Sequence, residues 1–111
     1  MRKWKIRLEK FGISNARRDE LTAFCRQYPE KVDKLEKAQI SDPKIIEKYQ
    51  RDIFIIEETA KEADSFLAPW IIQSVTKNIP SWKLVQNSMP ATEKEFSAKR
   101  RRFYVFLSEK L

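Results

Sequence analysis

Seven side chains in the last third of the chain have the types and the spacing to bind a polyanion. Lys94, Ser97, Lys99, Arg101 and Arg102 lie in one short stretch, and Lys77 and Lys83 precede it. Lysine and arginine neutralise phosphate, and a serine hydroxyl can meet either a phosphate or a base edge. The densest part, Lys99-Arg100-Arg101-Arg102, is bracketed by Phe96 on one side and by Phe103-Tyr104-Val105-Phe106-Leu107 on the other. Its charge therefore rides on a helix that must also pack, not on a free tail. At about 100° per residue, Phe96, Phe103 and Leu107 share one face, Lys94, Ala98 and Arg101 project nearly opposite, and Ser97 lies to one side. Lys94, Ser97 and Arg101 are the candidates for base edges, because the first turns of a recognition helix enter the major groove deepest. Lys99 and Arg102 sit on a flank from which they reach phosphates, as do Lys77 and Lys83 from preceding helices. Arg100 projects only about 40° from Phe96 and has to snorkel or find a partner. A run of this kind is also the ordinary make-up of a solvated helix face.

The wider charge pattern agrees with that placement. The 111 residues carry a formal charge of +7 and a pI near 9.6. Residues 1–10 hold five Lys and Arg against one Glu, residues 41–68 hold four against seven acids, and residues 91–111 hold six against three. Basic ends around an acidic middle mean that phosphate contact should come from the ends. Other chemistries lack their residues. There is no histidine and a single cysteine, Cys25, so neither an internal disulfide nor a zinc site is expected, and a reducing, cytoplasmic setting is. Cys25 stands among Leu21, Phe24 and Tyr28, which points to a buried structural thiol. Gly12 is the only glycine, which excludes a glycine-rich phosphate loop, and no serine has a histidine base. No cofactor and no enzymatic activity are expected. No window approaches the ~18 apolar residues of a membrane span, and residues 1–10 interleave charge with Trp4, Ile6 and Leu8 where a signal would have an apolar core.

The elements that must position these residues read as helices. Residues 3–11 fit a short strand or one helical face equally. Ser14 or Asn15 caps a helix with apolar residues at Leu21, Cys25, Tyr28, Val32 and Leu35, and Pro29 kinks it or splits it in two. Ser41-Asp42-Pro43 forms a turn and cap, with proline at the first helical position. The helix over residues 43–67 then carries Ile46, Tyr49, Ile53, Ile56, Ala60, Ala63 and Leu67 three and four apart, a seam that wants a partner helix. An antiparallel hairpin with residues 21–35 supplies one; an intermolecular coiled coil is the other solution. Pro69 opens a helix through Trp70, Ile71, Ile72 and Val75, which Asn78-Ile79-Pro80 ends. Ser81 caps a short helix with Trp82, Leu84 and Val85, and Asn87-Ser88-Met89-Pro90 turns the chain. Thr92 caps the basic helix, with Glu95 at capping-box spacing. The expected fold is all-α: an N-terminal helical region over residues 1–67, then a helix-turn-helix region over residues 68–111.

At this point a family resemblance enters. Residues 70–111 resemble the promoter-reading helix-turn-helix of primary sigma factors, as reused in small phage regulators. The matching elements are Ile72, the turn, SWKLVQ and then TEKEFSAKRRRFYVFL, with Thr92 where the family has a capping serine and Phe96 where it has valine. Phe103 is bulkier than the family's residue, and the turn holds less glycine. Residues 20–39, ELTAFCRQYPEKVDKLEKAQ, resemble the leucine and tyrosine-proline helix that opens RinA-like late transcription activators of phages, in which a long helix and a sigma-like reader follow. ArpU-like regulators share this plan. The resemblance implies a prophage-encoded regulator of late or packaging genes that binds double-stranded promoter DNA and works with RNA polymerase.

Two other function classes suit the same residues. A phage DNA-packaging accessory, such as a small terminase subunit, also joins a DNA reader to a helical hairpin. A protein-binding adaptor or inhibitor would turn residues 99–102 toward an acidic protein surface. Assembly follows from the run after Arg102. Its five apolar residues cover every side of a helix, and the reader's own core takes only Phe103, Leu107 and Phe106. Tyr104 and Val105 are surplus, and because the residue 43–67 helix already has a partner, a homodimer is expected to cover them.

Overall fold

The computed structural model describes residues 6–111, and the local signals decide where its helices begin and end. After a single 3₁₀ turn at Glu9–Phe11, closed by Gly12 in the left-handed region at φ 76°, come α1 (Asn15–Arg26), α2 (Tyr28–Glu36), α3 (Pro43–Ala63), α4 (Ala68–Lys77), α5 (Ser81–Gln86) and α6 (Glu93–Lys110). The fold is all-α, with no strand among the described residues. Trp4 lies outside them. Within residues 6–11, Ile6 and Leu8 are buried without regular structure, so the described part of the segment that suits strand and helix equally is neither, apart from that turn.

The caps follow from side chains that supply oxygen to orphan amides. Ser14 accepts from the Arg17 N–H at 3.1 Å, and Asp42 accepts from the Lys44 N–H at 2.9 Å with Pro43 opening α3. The proline at position 29 divides α1 from α2 at Gln27, giving two abutting helices. Asn78 ends α4 in the left-handed conformation (φ 55°), which asparagine tolerates. Two expected caps come out differently. Ser81 is the first residue of α5 and Pro80 its cap. At α6 the Thr92 hydroxyl accepts from the Glu95 N–H at 3.1 Å, but the Glu95 carboxylate takes the Thr92 hydroxyl at 3.0 Å, so only half of a capping box forms. Thr92→Ala should cost about 1 kcal/mol, and Thr92→Ser much less, in urea denaturation.

The core has one centre, shared by both ends of the chain. Leu8, Leu21, Cys25, Ile56, Ala60, Ile71, Phe96, Phe103 and Leu107 are all fully buried in it. Only the first half of α3 pairs with α2, through Lys31 to Asp52 at 2.8 Å and the Tyr28 hydroxyl donating to Glu57 at 2.7 Å. The most extensive packing of α3 is on α6, and it also packs on α4. Lys110 seals the α3–α6 junction by donating to the Thr59 hydroxyl at 3.0 Å and to Glu62 at 2.8 Å. The expected hairpin partner of α3 is thus largely replaced by α6. Its small residues Ala60 and Ala63, both buried, permit close approach.

That arrangement removes the surplus on which the expected dimer rested. Tyr104 is 2% exposed and stacks edge-on against Phe103 with centroids 5.3 Å apart, and Val105 packs on the core's margin. Both are covered within the chain. Arg17 fixes this end of α6 by donating to the carbonyls of Ser108 and Leu111, each at 3.1 Å, so orphan carbonyls at a helix C-terminus meet a cation.

Cys25 and Tyr104 are the buried acids of this core, and burial holds both well above their ordinary values. A raised acid stabilises the fold below its unfolded value and stops doing so as pH climbs beyond it, because the unfolded chain then releases a proton that the native chain keeps. For the thiol this begins near 9.0 and for the phenol near 10.0. Arg100 acts in the opposite sense: burial lowers it to about 10, so its unfolded form binds the extra proton between there and 12.5. Two acids against one base leave a net decline. Stability should fall from about pH 9 upward, at no more than ~1.4 kcal/mol per pH unit for each uncompensated group. Urea midpoints at pH 8 and pH 10.5 measure it, and Cys25→Ala should flatten the first part of the decline.

Candidate nucleic-acid interface

The basic helix α6 is set by what it buries. Phe96, Phe103 and Leu107 are fully buried, as their spacing requires, and this fixes the roll of the helix. Arg100 goes inward with them. It is 4% exposed, its Nη1 donates to the Ser74 hydroxyl at 3.0 Å, and its guanidinium lies 5.4 Å from the centre of the Phe96 ring. Ser74 in turn donates to the Ile79 carbonyl at 2.6 Å. The chain Arg100–Ser74–Ile79 thereby ties α6 to the turn between α4 and α5. One of the four clustered cations is an internal strut.

Lys99 also has a structural partner. Its Nζ lies 3.6 Å from the Asp64 carboxylate, whose other oxygen accepts from the amides of Phe66 and Leu67 at 3.0 and 2.9 Å. This joins α6 to the corner between α3 and α4, where the flank position read from the helical wheel placed a phosphate contact. The open stripe of α6 is therefore Lys94, Ala98, Arg101 and Arg102. Lys94, Ala98 and Arg102 are exposed and Arg101 is half-buried. Arg102 sits 5.1 Å over the Phe106 ring, an i, i+4 stack that steadies its guanidinium without burying it. Ser97 is half-buried, with its hydroxyl 3.4 Å from that of Ser81 on α5, so the two helices meet there.

The remaining two positions stand apart from this stripe. Lys83 is exposed on α5, beside Trp82, which is half exposed. Lys77, exposed at the end of α4, borders a groove of about 330 Å³ between α2 and α4 that also contains Asp33 and Glu36. Those carboxylates oppose a phosphate approaching Lys77.

The structure adds residues that the spacing along α6 does not reveal. Arg7, Lys10 and Phe11 join Arg101 around one cleft, in which Glu9 also lies. Farther along α6 the same N-terminal segment, Phe11 to Ile13, lies beside Val105 and Ser108. The net charge of residues 1–10 was the available signal, but nothing in the sequence says which helix that segment crosses. Among the described residues no cluster of Cys, Asp and Glu could hold a metal ion, and no helix is long and apolar enough to cross a membrane. The chain matches no family model, no curated protein and no solved structure.

Proposed function

We propose that the chain is a DNA-binding transcription regulator, with α4, α5 and α6 as a helix-turn-helix and α6 as the helix that enters the major groove. The observation that carries this reading is the open stripe of α6. Lys94, Arg101 and Arg102 present cations outward from a helix whose opposite side is locked into the core by Phe96, Phe103 and Leu107. A solvated helix face needs neither the rigid inward anchoring nor the polar strut of Arg100 to the α4–α5 turn. Lys94 and Ser97, in the first turns of α6, take base edges, Arg102 takes phosphate, and Lys83 on α5 contacts backbone alone. The sequence resemblance to RinA-like and ArpU-like regulators makes the gene's setting a phage or prophage and RNA polymerase a partner.

Selection from a random duplex pool, followed by fluorescence anisotropy on the enriched site, tests this. Lys94→Ala should change preference at one base pair by ~1–3 kcal/mol, whereas Lys83→Ala should weaken selected and random duplexes alike. No enrichment, together with no binding of any duplex at 50 mM salt, would sink the reading in favour of an acidic protein partner.

A further inference from the structure

The cleft between the N-terminal segment and α6 is outside the helix-turn-helix, has a volume of about 910 Å³, and is bounded by Arg7, Glu9, Lys10, Phe11 and Arg101. Three cations face one carboxylate. Two of the cations are guanidinium groups, whose planar forks match the oxygens of a phosphodiester. Phe11 stands at the rim and is 51% exposed, an apolar surface that the protein's own core leaves uncovered. Arg101 belongs both to this cleft and to the open stripe of α6, so the two cationic surfaces are continuous.

We propose that this cleft seats the sugar-phosphate backbone of duplex DNA flanking the groove that α6 enters, with Arg7 and Lys10 each neutralising one phosphate and Phe11 packing on a deoxyribose between them. The proposal rests on the reading of α6 as a DNA-contacting helix and extends the footprint beyond it. Charge complementarity selects the occupant: net positive charge and forked donors suit a polyanion with regularly spaced phosphates. Glu9 acts against the phosphates and moderates the site.

The test is the salt dependence of duplex binding by the full chain, read by anisotropy between 50 and 200 mM salt. Arg7→Ala with Lys10→Ala should lower the logarithmic salt slope by about 1.8, at ~0.9 for each phosphate that is no longer neutralised. The affinity of the wild type should then drop about tenfold more than that of the double variant over that range, on selected and random duplexes equally. Phe11→Ala should weaken binding with the slope unchanged, and Glu9→Gln should tighten it. Arg7, Glu9, Lys10 and Phe11 are all exposed, so helix content and unfolding midpoint should stay at wild-type values. A double variant with the wild-type slope overturns the cleft while leaving α6 as reader. A wild type that binds no duplex overturns both, and the two failures are told apart by the wild type alone.

Discussion

Replacing Asp52 by alanine should destabilise the protein by about 3–5 kcal/mol, enough to move the midpoint of thermal unfolding by more than ~10 °C. Asp52 and Lys31 form an ion pair at 2.8 Å with both side chains 8% exposed. The ammonium also lies 4.7 Å from the centre of the Phe24 ring and 5.7 Å from that of Tyr49. Truncation of the carboxylate leaves a cation in an aromatic and aliphatic pocket with no anion to offset its desolvation. The aromatic rings recover only part of this. Lys31→Met combined with Asp52→Leu should behave quite differently, with stability equal to or above wild type, because the desolvation cost disappears along with the attraction. A double variant as unstable as Asp52→Ala would show that the pair contributes net stability, and the deficit would then be the pair's own. The pair's place between α2 and α3 gives it a second role. An apolar seam with three- and four-residue spacing tolerates slippage, whereas one buried pair is satisfied in a single register.

The second large effect is on DNA. Lys94→Ala, Arg101→Ala and Arg102→Ala together should lower the salt slope of binding by about 2.7, so that wild type and triple variant diverge by a further ~40-fold between 50 and 200 mM salt. Lys99→Ala should hardly alter the slope, because its ammonium is already engaged by Asp64 on the protein. Its cost to stability should also be small, under ~1 kcal/mol, since the side chain is 38% exposed and the pair is screened. This contrast separates the structure from the helical wheel, which groups Lys99 with Arg102. A slope change for Lys99→Ala as large as that for Arg102→Ala would mean that DNA displaces Asp64. Anisotropy titrations of single and triple variants on one duplex supply every number required.

What could be read in the residues alone was whatever depends on near neighbours in the chain. Thr92, Asp42 and Ser14 cap because their oxygens reach amides two or three residues on. Pro29 divides α1 from α2 because its ring removes an amide wherever it occurs. The inward face of α6 follows from the spacing of Phe96, Phe103 and Leu107, and the buried thiol from the company of Leu21 and Phe24. Periodicity announces that a face is apolar but not what will cover it, and there the tertiary structure decided. The seam of α3 turned to α6, not chiefly to the helix preceding it, because the cover for a seam is chosen by the shape of the whole core. Tyr104 needs no second copy as a result of the same choice. Lys99 met an aspartate 35 positions earlier in the chain, Arg100 a serine 26 earlier, and Arg101 the cleft holding Arg7. Whether a cation on a basic helix is a strut, a brace or a free contact depends on which distant oxygen folding brings beside it, and the local pattern of charge is the same in all three cases.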